Sequence, residues 1–245
     1  MAERRAGRRA LIAVQAAALV IGSLLLLWAA DGLARLGAQT LLEHNITRAT
    51  GVVERPQVAV RGWFFLPQVI RGVYEEVHVT TRGITSGPLR IAEVESRLYD
   101  VRVPYHDVLV RDVRQVGIVR SSQRATLTYD ELNIYFEQTG RPLRVSPGEG
   151  GLVEVNGTVD VLGNQVDARA QLELSVLSGT LRMSPRRIET GDQVLDAASR
   201  LLLRQRFTLP VPMGTLPFGH ELTQVSTDAV GIRVEAESYG VIVDP

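Results

Sequence analysis

The side chains able to do chemistry are few, and their spacing does not favour it. The chain carries four histidines, His44, His78, His106 and His220, and no cysteine. No two histidines stand at a metal-ligand spacing such as H-x-x-x-H, and thiolate donors are absent, so a zinc site has no ligand set. His106-Asp107 is an adjacent base and acid. Neighbours on a strand point to opposite faces, so this pair predicts a turn rather than a catalytic dyad. Glu75-Glu76 are paired carboxylates of the same kind; on a strand they part, which suits a solvated surface. No G-x-S-x-G elbow, P-loop or G-x-G-x-x-G is present. The residues support no enzyme and call for no cofactor.

Two apolar segments are better candidates for a working surface. Gly62-Trp63-Phe64-Phe65-Leu66-Pro67-Gln68-Val69-Ile70-Arg71-Gly72 gathers one of two tryptophans and two of five phenylalanines between glycines. Leu209-Pro210-Val211-Pro212-Met213-Gly214-Thr215-Leu216-Pro217-Phe218-Gly219 is apolar, proline-rich and non-helical. Two readings stand side by side. Both segments are core plugs closing the ends of a sheet, or Trp63, Phe64, Phe65, Leu66, Val69, Ile70, Leu216 and Phe218 line the mouth of an apolar cavity or touch a bilayer, where an amphipathic ring suits the interface. Arg61 and Arg71 flank the first segment. They are candidate partners for a phosphate, or else solvated surface arginines.

The elements that position these segments begin with the N-terminus. Arg4, Arg5, Arg8 and Arg9 precede an uncharged apolar run from Ala10 to Ala30. At ~1.5 Å per residue that run crosses a hydrocarbon core of ~30 Å, and the arginines hold its start in the cytoplasm. The run is longer than the ~7–15 residues of a cleaved signal. Trp28 breaks the small-x-small rule, and Gly32-Leu33-Ala34 meets it only beyond the core. Both an anchor and a cleaved leader stay open. The expected location is the inner membrane, single-pass with the C-terminal domain in the periplasm, or the periplasm or exterior if the leader is removed. Residues 1–30 are expected as signal anchor or signal peptide, 31–51 as a juxtamembrane helix, and 52–245 as the folded domain.

All 27 basic residues are arginine. Beyond Ala30 the chain carries 23 arginines against 26 acids, which disfavours a nucleic-acid partner. Without disulfides, stability must come from a core, and about 215 residues suffice for one large core or two modest ones.

Strand patterning dominates after Pro56. Val73–Thr80, Leu89–Val103, Val108–Val119 and Arg124–Phe136 read as strands, and Arg141–Gly151 as a loop. Val153–Val161 and Val166–Val176 alternate apolar and polar around Gly163-Asn164, predicting a hairpin that pairs Val161 with Val166 and Val155 with Leu172. Small residues on its apolar face (Gly157, Ala168, Ala170) fit either a cavity or close packing. A helix capped by Thr190 or Asp192 follows, with Val194, Leu195, Ala198, Leu201 and Leu202 on its apolar face. Glu221–Thr227 and Gly231–Val243 close the chain as a strand pair. The fold class is α+β: a long curved antiparallel sheet wrapped on an amphipathic helix, preceded by one N-terminal transmembrane helix.

Three motifs resemble one family. Pro56-x-Val58-x-Val60-x-Gly62-x-Phe64-x-Leu66-x-Gln68 with Gly72-x-Tyr74-x-x-Val77-x-Val79 resembles the opening of the LmeA-like phospholipid-binding proteins of actinobacteria. Ala125-Thr126-Leu127-Thr128-Tyr129-Asp130-Glu131-Leu132 is similar to its central segment. Leu216-Pro217-Phe218-Gly219-x-x-Leu222-x-x-Val225, then Asp228-Ala229-Val230-Gly231-Ile232, is similar to its close. The chain departs from the pattern at Trp63-Phe64-Phe65 and at Ala229-Val230. The resemblance implies a tubular lipid-binding fold and a periplasmic phospholipid binder supporting envelope glycolipid synthesis. Its implied partners are phospholipid, the inner membrane and envelope glycosyltransferases, with no catalytic residues. The alternative is a membrane-anchored scaffold without a ligand, holding an envelope glycosyltransferase or transporter in place.

Overall fold

The computed structural model describes residues 2–50, 54–86, 88–104, 106, 115–177, 180–191, 196–211 and 221–243. The expected α+β architecture of curved antiparallel sheet and helix is present, with the strands divided between two sheets.

The chain opens with α1 (Ala2–Thr50), one unbroken helix. It contains no proline, and its stretch Gln15–Thr40 is long and apolar enough to cross a membrane. After it come β1 (Gln57–Arg61), α2 (Phe65–Arg71), β2 (Val73–Ser86), β3 (Leu89–Arg102) and β4 (Val116–Thr128). Strands β1 to β4 pair in sequence, and β4 then takes β11 (Gly231–Val243), which carries β10 (Glu221–Thr227) at the far edge. The second sheet runs β5 (Leu143–Pro147), β6 (Val153–Val161), β7 (Asn164–Leu177), β8 (Thr180–Glu189) and β9 (Leu209–Val211).

Two cores result. The larger joins both sheets with α3 (Tyr129–Gln138) and α4 (Ala197–Arg206), and fully buries Phe136, Phe207, Leu127, Leu132 and Leu172. The smaller lies where α1 and α2 meet the first sheet: Val58, Val60, Phe65, Val77, Leu98, Val101 and Ile118, with Ala34 and Ala38 of α1 packed on them.

Several expectations need correction. Arg124–Phe136 is not one strand: it breaks at Thr128, whose hydroxyl accepts from the Glu131 amide at 3.3 Å and starts α3. Thr128 and Glu131 stand at the capping-box spacing, and burial of Tyr129, Leu132, Tyr135 and Phe136 at helical period completes the case. The Arg141–Gly151 loop contains β5, which is held at its edge by Asn133. That side chain donates to the Val145 carbonyl (3.1 Å) and accepts from its amide (2.6 Å), as a neighbouring strand would.

The hairpin turn sits one residue earlier than expected. Leu162 and Gly163 are its central pair, both at positive φ (54° and 83°), as a tight primed turn demands. The Gly163 amide donates to Asp160 Oδ1 at 3.2 Å, which helps hold the leucine in a conformation it dislikes. Val161 therefore faces Asn164, Val159 faces Val166 and Val155 faces Ala170. Each partner moves by two, so side-chain parity is kept and apolar faces still meet.

Helix α4 is capped by Asp196, which accepts from the Ser199 amide at 2.7 Å, rather than by Thr190 or Asp192. It buries Leu203 and, one turn on, Phe207, while Leu201 is turned outward. Residues 192–195, including Val194 and Leu195, lie outside the described residues, as does most of the expected strand Val108–Val119 before β4.

Candidate functional site

The first apolar segment folds into a tip built on α1. Chain direction explains the geometry. Glu43 Oε1 accepts from the Val58 amide (3.4 Å), Arg35 Nη2 donates to the Gly62 carbonyl (3.0 Å), and Asp31 takes the Phe65 and Leu66 amides (3.0 and 2.7 Å). As the chain advances from Val58 to Leu66, its partners on α1 step back from 43 to 31. The return strand β1 thus runs antiparallel to α1 and delivers α2 to the level of Asp31.

Helix α2 has no cap of its own. Phe64 is its N-cap residue and offers no side-chain acceptor. The buried carboxylate of Asp31 takes two of the amides that a helix start leaves orphaned. Arg35 stands 3.6 Å from the same carboxylate and balances its charge. At the other end Gly72 takes the left-handed conformation (φ 65°) and closes the helix.

Gln68 is the second internal clamp. It is buried, its Nε2 donates to the Phe64 carbonyl (3.0 Å) and, more weakly, to that of Arg61 (3.4 Å), and its Oε1 accepts from the Glu75 amide (3.0 Å). One amide side chain therefore ties β1, α2 and β2 together.

The structure splits the sequence-predicted site residues. Phe65 is buried in the smaller core with its ring 6.0 Å from Tyr74, and Val69 packs on that core. Leu66 is half-buried. Trp63, Phe64 and Ile70 point out, at 91%, 49% and 68% exposure. Arg61 and Arg71 are exposed, and Arg71 Nε donates to the Pro67 carbonyl within its own helix (3.2 Å). Leu216 and Phe218 lie outside the described residues; of the second segment, Leu209 and Val211 are core residues on β9.

The small residues of the β6–β7 hairpin serve close packing. A Cβ at Gly157 would run into the Pro142 carbonyl and Leu143, and Ala168 and Ala170 are buried in the larger core. The described clefts are open; two are mainly polar and two mix polar and apolar linings. One is lined by Arg61, Glu76, His78, Glu95 and Arg97. There the His78 ring touches the Glu76 carboxylate. His106 is exposed, and Asp107 is outside the described residues. No cluster of three or more metal-ligating side chains occurs among the described residues.

At the opposite end, the central and closing motifs meet. Asp228 Oδ1 accepts from the Val230 and Gly231 amides (2.8 and 3.0 Å), its Oδ2 pairs with Arg233 Nη2 (2.8 Å), and its carbonyl accepts from Tyr129 Oη (3.1 Å). The β10–β11 turn is thereby tied to the start of α3. A Cβ at Gly231 would strike the Leu127 carbonyl, a backbone atom that cannot swing away. Gly231→Ala is expected to cost about 1–3 kcal/mol, read as a lower thermal midpoint, because the strand must shift to admit the methyl.

The backbone amides of Val230 and Gly231, followed by Arg233, hold the Asp228 carboxyl below its ordinary value. A carboxyl depressed in the folded state stabilises above its unfolded pKa, and that support is lost as pH falls through the folded value. Circular dichroism melts should therefore show the wild type losing its advantage over Asp228→Asn below about pH 4. An advantage that persisted in acid would contradict this role for the carboxylate.

Together these features define an α+β domain built onto a membrane-length helix, with an apolar tip where helix and domain join. Residues 29–237 match the family model described as LmeA-like phospholipid-binding, and the chain belongs to that family. No curated protein and no solved structure matches it.

Proposed function

We propose that this protein is an extracytoplasmic phospholipid-binding protein, held at the inner membrane by α1 and serving cell-envelope lipid or lipoglycan metabolism. The family match carries this reading, because it spans both the tip and the far hairpin. The lipid-handling end is the tip: Trp63, Phe64 and Ile70 offer apolar contact, Phe65, Leu66 and Val69 support them, and Arg61 and Arg71 meet the phosphate. Leu216 and Phe218 of the closing motif are further proposed lipid contacts, on sequence alone. Each buried CH₂ of an acyl chain contributes about 0.8 kcal/mol, so affinity comes mainly from the tails and orientation from the arginines.

The packing supports a retained anchor. Cleavage after Gly32-Leu33-Ala34 would remove Asp31 from α2, leaving two amides without their acceptor. Envelope glycosyltransferases are the proposed clients in the same membrane.

Lipid extraction and mass spectrometry of the full chain, purified in detergent, test the proposal. Phospholipid should remain after extensive washing. A chain carrying no more phospholipid than an unrelated single-span protein would refute it.

A further inference from the structure

The tip has a fixed height relative to α1. Twelve residues separate the partner of Val58 (Glu43) from that of Phe65 and Leu66 (Asp31), about 18 Å along a helix axis. Asp31 is the first residue after the uncharged run ending at Ala30. The tip is therefore level with the end of the apolar run, not with the body of the domain.

Exposed apolar side chains gather at that level, with the exposed Arg102 among them. On α1, Leu33 and Leu36 remain 71% and 61% exposed just beyond Asp31, where a helix standing in water would favour polar side chains. Beside them Trp63, Phe64 and Ile70 are exposed. The same end of the sheet adds another apolar side chain. The strand register lines up Val73, Arg102, Gly117 and Ile242 across β2, β3, β4 and β11, and Ile242 is 68% exposed. The one acid in this zone of α1, Asp31, is hidden against α2 and paired with Arg35. Arg61 and Arg71, exposed on either side of α2, have the sign that anionic headgroups attract, and one exposed acid, Glu75, follows the helix.

We propose that this end of the domain is a foot immersed in the bilayer that α1 crosses. Trp63, Phe64 and Ile70 enter the headgroup–acyl boundary of the leaflet on the domain's side, and Arg61 and Arg71 sit at its phosphates. The inference rests on the reading of α1 as a retained membrane span. It adds that the bilayer itself occupies the apolar tip, and that Asp31 is the positioning residue setting the depth.

The absence of cysteine makes the test clean. The full chain bearing Trp63→Cys, Phe64→Cys or Ile70→Cys is spin-labelled and reconstituted in vesicles of phosphatidylethanolamine and phosphatidylglycerol. Leu162→Cys and Val230→Cys, exposed at turns away from the tip, are the controls. Labels at 63, 64 and 70 should be accessible to oxygen and severalfold more shielded from a water-soluble nickel chelate than the controls. Adding Asp31→Ala should erase that shielding at 63. Equal nickel accessibility at tip and control positions overturns the proposal. So does dipolar broadening between labels at position 63 of two chains, which would seat a second copy on the tip. Retained phospholipid is measured separately, on the unsubstituted full chain purified in detergent before any reconstitution. A water-exposed tip with retained phospholipid sinks the foot alone, whereas a shielded tip without retained phospholipid sinks the binding function alone.

Discussion

Asp31→Ala should free α2 from α1, because that buried carboxylate is the acceptor for the first two amides of the helix. The substitution removes the acceptor of the Phe65 and Leu66 amides and leaves Arg35 with the Gly62 carbonyl but no counter-charge on α1. Unsatisfied buried amides carry a penalty of about 1–3 kcal/mol each. The loss is local, because the smaller core is separate from the larger one. Hydrogen exchange should accelerate at Phe65, Leu66 and along α2, with little change in α3 or the β6–β7 hairpin. Asp31→Asn, which retains one carbonyl oxygen, should recover part of the protection. Unchanged exchange at Phe65 and Leu66 would show that α2 does not depend on α1.

Phe136→Ala should produce the complementary pattern. Phe136 is fully buried in the larger core, and its ring lies 5.3 Å from that of Tyr135 in an edge-on contact. Truncating a buried phenylalanine costs about 3–5 kcal/mol in lost transfer energy and residual cavity. For a domain of this size the thermal midpoint should fall on the order of 10 °C. Exchange should rise in α3, β5 and the second sheet, while the Phe65 and Leu66 amides keep their protection. A midpoint within a degree or two of wild type would mean that neighbouring side chains collapse into the space.

Patterning at short range was legible in the sequence. Alternation placed β2, β3, β6, β7, β10 and β11, and the arginine-flanked apolar run gave the membrane-length part of α1. Local signals misled where two of them competed. Alternation through Ala125 and Leu127 ran visually into α3, although Thr128 and Glu131 mark the helix start. Proline and glycine in 141–151 concealed β5, whose place depends on Asn133. The hairpin register slipped by two because Gly163 was paired with Asn164 instead of Leu162, a residue that enters positive φ only under constraint from its strands. At α4, helical spacing selected Leu201, while packing against β6 and β8 selected Leu203.

The site was half legible. Composition pointed to Trp63–Ile70, but not to which of those side chains would face outward. Asp31 and Arg35 were missed because their partners lie 34 and 27 residues away, where no local pattern reports them. One hint was available: Asp31 is the only acid in the apolar stretch Gln15–Thr40 of α1, and such a charge demands a partner. Gln68 gave a similar hint, as a polar residue in the opening motif that turned out to serve architecture.

With β1 folded back along α1 and α2 seated on Asp31, the body is tied to its stalk along the length of that return. On the reading proposed above, the protein cannot reach into the surrounding space in search of cargo. Its working radius is its own footprint, and whatever supplies or takes its lipid has to drift alongside it in the plane of the membrane.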